Sequence, residues 1–181
     1  MSRIGKLAIS IPAGVTVEVN GNVVTVKGAK ATLSQEISNN VAVEIQDNTL
    51  TVVRKDETTD SNAKQGLYRQ LINNMVVGVS AGFTKSLTVN GVGYKLNKQG
   101  NKLVMNLGLS HPVEVVEVEG ITLECPDNNT ILVKGADKQM VGEVAAKIRA
   151  TRPMEPYHGY GIHYTSEPVI LKPGKSAGKK K

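Results

Sequence analysis

The sequence predicts an α+β fold: two tandem repeats of a small antiparallel β-sheet packed with one helix, followed by a basic C-terminal tail. Three observations predict it. Short runs of apolar–polar alternation fill most of each half, one stretch of helical periodicity closes each half, and short phrases recur in both halves in the same order.

In the first half, residues 15–19 alternate, Asn20-Gly21 is a two-residue hairpin signal, and residues 23–27 alternate again. Residues 31–37 and 41–45 read as further strands, and Asp47-Asn48 turns the chain into a strand over 49–53. The period then changes. Ala63, Leu67, Leu71, Met75 and Val79 recur near helical spacing, with Ile72 and Val76 widening the stripe and Gly82 as a stop. The second half predicts strands at 83–89, 93–97, 102–107, 113–118, 121–125 and 130–134. A helix follows from Asp137 to Ala150 with Val141, Val144, Ala145 and Ile148 on its apolar face, and Pro153 ends it. Val26-Lys27-Gly28-Ala29 recurs as Val133-Lys134-Gly135-Ala136, and residues 43–48 resemble 123–128. Duplication accounts for both matches and for the shared element order. The expected division is 1–81, 82–170 and a flexible basic tail over 171–181.

The chain has 181 residues, 40% of them hydrophobic, but one Phe and no Trp, so its cores rest on Val, Ile, Leu and Ala. A single cysteine, Cys125, cannot form an internal disulfide, and a reducing, cytoplasmic setting is expected. The apolar start around Leu7 to Ile11 is short and broken by Ser10 and Pro12, so neither a signal peptide nor a membrane span is expected. Net charge is +6, and from Lys147 onward 8 Lys/Arg face 2 Asp/Glu. The whole excess therefore sits in the last fifth of the chain, as expected for a surface that meets a polyanion.

Motifs that imitate catalysis fail on context. Gly174-Lys175-Ser176 resembles the end of a phosphate-binding loop, but Val169 stands where that loop needs glycine and no helix follows. Gly91-Val92-Gly93 leads into a strand pattern rather than a helix, against a dinucleotide site. Cys125 has no histidine at a recognisable spacing, and no His, Cys and acidic cluster has metal-ligand spacing. No enzyme activity, cofactor, metal or small-molecule substrate is expected. The remaining feature is the C-terminal stretch: Lys147, Arg149 and Arg152 at the helix exit, then Pro153 to Tyr164 with three tyrosines and two histidines, then lysines 172, 175, 179, 180 and 181. Prolines set an extended entry, Gly159 and Gly161 allow close backbone approach, and the rings offer stacking faces for exposed bases.

At these residues the chain resembles the bacterial large-subunit ribosomal protein L six family over nearly its whole length. The resemblance rests on Met1-Ser2-Arg3-Ile4-Gly5-Lys6, Ile11-Pro12-Ala13-Gly14-Val15, residues 23–28, Gly91-Val92-Gly93-Tyr94, residues 107–113, Gly135-Ala136-Asp137-Lys138-Gln139, Arg149-Ala150 and Glu155-Pro156-Tyr157. It implies binding to 23S rRNA, chiefly by the second repeat, near the sarcin–ricin loop and the base of the factor-binding stalk. Neighbouring large-subunit proteins and translation factors would lie nearby, in support of subunit assembly and translation. With the residue chemistry, it implies RNA-binding roles for Lys85, Gly91, Gly93, Tyr94, Lys95, Ser110, His111, Lys138, Arg149, Arg152, Tyr157, His158, Gly159, Tyr160, Gly161, His163, Lys172 and Lys175. The alternative is a general RNA/DNA-binding chaperone or nucleoid-type protein. One departure stands out: the family usually has Lys-Gly-Lys-Gly and then a basic residue where this chain reads His158-Gly159-Tyr160-Gly161-Ile162-His163. The Coulombic part of the contact is thereby reduced and stacking favoured, which leaves more of the charge to Arg149, Arg152 and the tail. Ending the chain after Tyr164 is expected to leave both repeats folded and to weaken binding.

Overall fold

A computed structural model describes residues 3–175. The described chain divides into two compact units that meet in sequence at Phe83 and Thr84, with the short segment Gly135–Lys138 grouping with the first.

The first unit contains β1 (Ile9–Ser10), β2 (Thr16–Asn20), β3 (Val23–Lys27), β4 (Thr32–Glu36), β5 (Val41–Gln46), β6 (Thr49–Arg54) and α1 (Thr59–Ser80). They form two three-stranded sheets, ordered β2-β3-β4 and β1-β6-β5. The tight turns have the expected chemistry: Gly21 adopts φ 59 between β2 and β3, and Asp47 tolerates φ 50 between β5 and β6. Alternation sends Val24 and Val26 fully inward, where they join Ile9, Leu50, Val52, Ile72 and Val79 in one core.

The second unit contains β7 (Phe83–Asn90), β8 (Lys95–Gln99), β9 (Lys102–Asn106), β10 (Val113–Val116), β11 (Ile121–Asp127), β12 (Thr130–Gly135), α2 (Lys138–Thr151) and β13 (Gly161–Tyr164). Its sheets are ordered β10-β9-β8 and β11-β12-β7-β13. Reading β7 for β1, β8 to β10 for β2 to β4, and β11 and β12 for β5 and β6 maps one unit onto the other strand for strand. The duplication inferred from repeated phrases is thus a duplication of topology. The second unit adds one edge strand, β13.

The two helices compare differently with the sequence pattern. The second buries Val141, Val144, Ala145 and Ile148, the four residues expected. The first is corrected in its N-terminal half, where Leu67 is 54% exposed and Ala63 also faces solvent. Ser61 and Gln65 are buried there instead, continuing the spacing of Ile72, Met75 and Val79. Gln65 holds its place by donating Nε2–H to the Val52 carbonyl at 2.8 Å, which offsets the cost of burying an amide. The Thr58 side chain caps the helix by accepting from the Ser61 amide. Some strands are also shifted or new: β8 begins at Lys95 rather than Gly93, β10 ends at Val116 rather than Val118, β1 lies before the first expected strand, and β13 forms within a stretch expected to be loop.

Candidate nucleic-acid interface

β13 positions the C-terminal features. It pairs antiparallel with β7, with Gly161 opposite Asn90, Ile162 opposite Val89, His163 opposite Thr88 and Tyr164 opposite Leu87. Ile162 is fully buried and anchors the strand, and its amide donates to the Arg152 carbonyl at 2.8 Å. The chain leaving α2 is therefore folded back onto the sheet edge. Gly161 is buried at φ 135, and a Cβ there would lie 2.5 Å from the Met154 Cα. Gly159 is also buried; its carbonyl accepts from Asn90 Nδ2 at 3.2 Å, and Leu171 packs against it. Both glycines thus serve the turn itself, and the surface above them belongs to Tyr157, His158 and Tyr160.

Most of the sequence-predicted residues gather at this end of the second unit. The turn 91–94 follows Asn90 directly, with Gly93 at φ 76. The Tyr94 ring covers Gly91, where a Cβ would meet it at 2.4 Å, and reaches Gly108 in the connection that carries Ser110 and His111. Those two, Gly93 and Lys95 are exposed. Lys172 joins the same end, donating its amide to the Pro156 carbonyl at 2.8 Å, and Lys175 lies across a cleft from Tyr157 and His158.

A second cluster lies further along β7 and β13. Lys85 Nζ sits 5.0 Å from the Tyr164 ring centre and the Arg149 guanidinium carbon 5.5 Å from it. Lys85 is five residues from Asn90, about 17 Å along an extended strand, so this cluster is separate from the Tyr94 end. His163 is half-buried between them, and its Nδ1 is without a partner among the described residues. Lys138 is brought to neither cluster. It groups with the first unit, 5.7 Å from the Phe83 ring and 3.4 Å from Asn74 Oδ1.

Arg149 is held by an acid of its own unit. Its Nη2 pairs with Glu167 Oε1 at 2.7 Å, and the other Glu167 oxygen accepts from the Tyr164 amide. The Arg149 hydrogen bond, aided by that amide, holds the Glu167 carboxyl below the usual carboxylate range. Arg149 is thus already neutralised within the unit, and Lys147 pairs with Glu143 one turn back on α2. Glu155, the other acid after Lys147, accepts from both the backbone and Nδ1 of His158. Among the described residues, the unpaired cations of this stretch are Arg152, Lys172 and Lys175. Lysines 179, 180 and 181 lie outside the described residues.

Sequence reasoning missed Asn90 and Glu167, and it counted Tyr164 among the stacking rings without placing it beside Lys85 and Arg149. The usable signal was that a strongly basic stretch keeps only two acids, and each pairs with one of the predicted site residues. Glu167→Gln is expected to lower the urea midpoint of the second unit at pH 7. Because the folded carboxyl titrates below the unfolded one, this contribution is present at neutral pH. It is lost as pH falls from about 4.3 through the folded value. Parent and variant should therefore converge at acid pH, and a constant difference down to pH 2 would contradict the pairing.

Catalytic readings find no support. Burial pushes the Cys125 thiol up, with Lys98 only partly opposing it, so the reactive thiolate is disfavoured. Among the described residues no three His, Cys, Asp or Glu side chains could hold a metal ion, and no helix is long and apolar enough to cross a membrane.

The doubled topology, two sheets and one helix in each unit, defines a tandem α+β repeat protein. The family model described as Ribosomal protein L6 matches residues 11–82 and 90–165. The chain belongs to that family, which is not enzymatic. It is 52% identical to the large ribosomal subunit protein uL6 of Desulfitobacterium hafniense (strain Y51) over 180 residues, covering 99% of this chain and 98% of the relative. Identity to the protein of the same name from Caldicellulosiruptor bescii is 53% over 179 residues, with 99% and 98% covered. For that of Clostridioides difficile (strain 630) it is 52% over 181 residues, with 99% and 100% covered.

Proposed function

We propose that this chain is a structural constituent of the large ribosomal subunit in the cytoplasm and binds 23S rRNA through the second unit. The contact would lie near the sarcin–ricin loop and the base of the factor-binding stalk, among neighbouring large-subunit proteins and close to where translation factors dock. In this reading residues 1–81 and 82–170 act as the two repeats and 171–181 as a basic extension. The observation that carries it is the convergence of Tyr94, Lys95, Ser110, His111, Tyr157, His158, Tyr160 and Lys172 at one end of the second unit. Full-length similarity to uL6 proteins of the large subunit adds weight. Rings and unpaired cations on one rim suit folded RNA with splayed bases and close phosphates. Lys85, Arg149 and Lys138 are secondary in this reading because each is already engaged by a side chain of its own unit.

Co-sedimentation with the large subunit at moderate salt separates this reading from a general RNA/DNA-binding chaperone. Retention on large subunits over free RNA supports it, and equal partition into bulk nucleic acid would overturn it. Replacing His158 and Tyr160 together by Lys is expected to tighten rRNA binding at low salt and steepen its dependence on log salt by up to roughly 2. An unchanged slope would show that these positions lie away from phosphate.

A further inference from the structure

We propose that the cleft between residues 157–158 and 173–175 is a stacking subsite for an unpaired RNA base, with Lys175 placed for the adjoining phosphate. This deepens the rRNA-binding reading and rests on it. The cleft has a volume of about 590 Å³ and is lined by Tyr157, His158, Pro173, Gly174 and Lys175. Its walls are thus two aromatic rings, a proline, a glycine and a single cation. The Lys172–Pro156 backbone bond, immediately before both walls, holds them opposite each other.

The His158 ring is held in place before any ligand arrives. Glu155 accepts from its amide at 3.1 Å and bonds its Nδ1 at 2.8 Å, and Tyr160 stacks on it with centroids 5.5 Å apart and planes 17° from parallel. Tyr160 does not line the cleft, so it backs His158 from outside. Tyr157 is 55% exposed, too much for a ring whose task is core packing. Pre-set flat faces lower the ordering cost of binding, and every base offers a matching π-face. One cation beside apolar rings suits a base with its phosphate better than a cluster of phosphates. A continuous duplex keeps its base faces covered and cannot use such a cleft.

The test measures binding of the full chain to a single-stranded hexamer of riboadenylate, to a duplex of equal length and to a 23S rRNA transcript, across a salt series. Tyr157→Leu should weaken hexamer binding roughly 5- to 150-fold, the loss of one stacking face, with an unchanged salt slope. Tyr157→Phe should stay near the parent. Lys175→Ala should flatten the slope by about 0.7. The subsite is overturned if Tyr157→Leu and His158→Leu both bind the hexamer within twofold of the parent, or if the duplex binds as tightly as the hexamer. Either result with transcript binding intact removes the subsite alone, whereas loss of transcript binding by the parent chain would remove the underlying reading as well.

Discussion

Gly161→Ala is expected to destabilise the second unit by about 3–5 kcal/mol, a large part of the roughly 5–15 kcal/mol that holds a typical domain folded. Two costs combine. At φ 135 an L side chain is strained whatever the space around it, at roughly 1–3 kcal/mol. A Cβ would also lie 2.5 Å from the Met154 Cα and 2.6 Å from the Pro153 carbonyl oxygen, which are backbone atoms and cannot swing aside. Relief requires moving β13 off its partners, which would uncover the fully buried Ile162. Four of the five tyrosines (Tyr94, Tyr157, Tyr160 and Tyr164) belong to the second unit, so tyrosine fluorescence in a urea titration reports mainly on it. Gly142→Ala supplies the control. Gly142 lies inside α2 with only Lys85 Nζ at 4.0 Å, and alanine there should be neutral or stabilise by about 0.5–1 kcal/mol. Equal midpoints for the two variants would contradict the packing assigned to Gly161.

Ending the chain after Tyr164 is expected to loosen the same unit by roughly 2–4 kcal/mol, so that it still folds but with a smaller margin. The segment beyond Tyr164 returns to the body of the unit. The Thr165 amide donates to the Ser86 carbonyl at 3.1 Å, its hydroxyl lies 3.0 Å from that of Thr88, and the Lys172 amide donates to the Pro156 carbonyl. Three such bonds at roughly 0.5–1.5 kcal/mol each give the estimate. The cut also removes Glu167, leaving the half-buried Arg149 without its carboxylate and its Nε, already unpartnered, with less support. A truncated chain with the parent urea midpoint would show that residues 165–175 lie on the unit without stabilising it. rRNA affinity should be compared only under conditions where both chains are folded, because the cut weakens the surface that presents Tyr157 and His158.

How much was legible in the sequence follows from the range of each interaction. Hairpins were legible because alternation and turn residues are local: the Asp47-Asn48 turn falls where expected, and the one expected at Asn20-Gly21 lies one residue on, at Gly21-Asn22, because Asn20 pairs with Val23. The doubled topology was legible because repeated phrases survive where backbone demands recur. The first half of α1 was misread because Ser61 and Gln65 are polar, and only a partner on another element, the Val52 carbonyl, makes burying Gln65 tolerable. β13 was read as loop because its glycines and rings suggest irregular chain, while the partner that makes it a strand is β7, some seventy residues earlier. The state of Arg149 was out of reach for the same reason, since Glu167 is 18 positions away and meets it only after the chain has turned back. Residue types in the candidate site could therefore be named from the sequence, but their present engagements could not.

Ultraviolet crosslinking of this protein on its own large ribosomal subunits, with crosslinked peptides and nucleotides both identified, shows whether the second unit meets 23S rRNA through these residues. Crosslinks to 23S rRNA are expected to concentrate in residues 91–95, 110–111 and 152–175, with Tyr157 and His158 prominent. Crosslinks confined to the first unit, or a second unit linked only to protein neighbours, would contradict it.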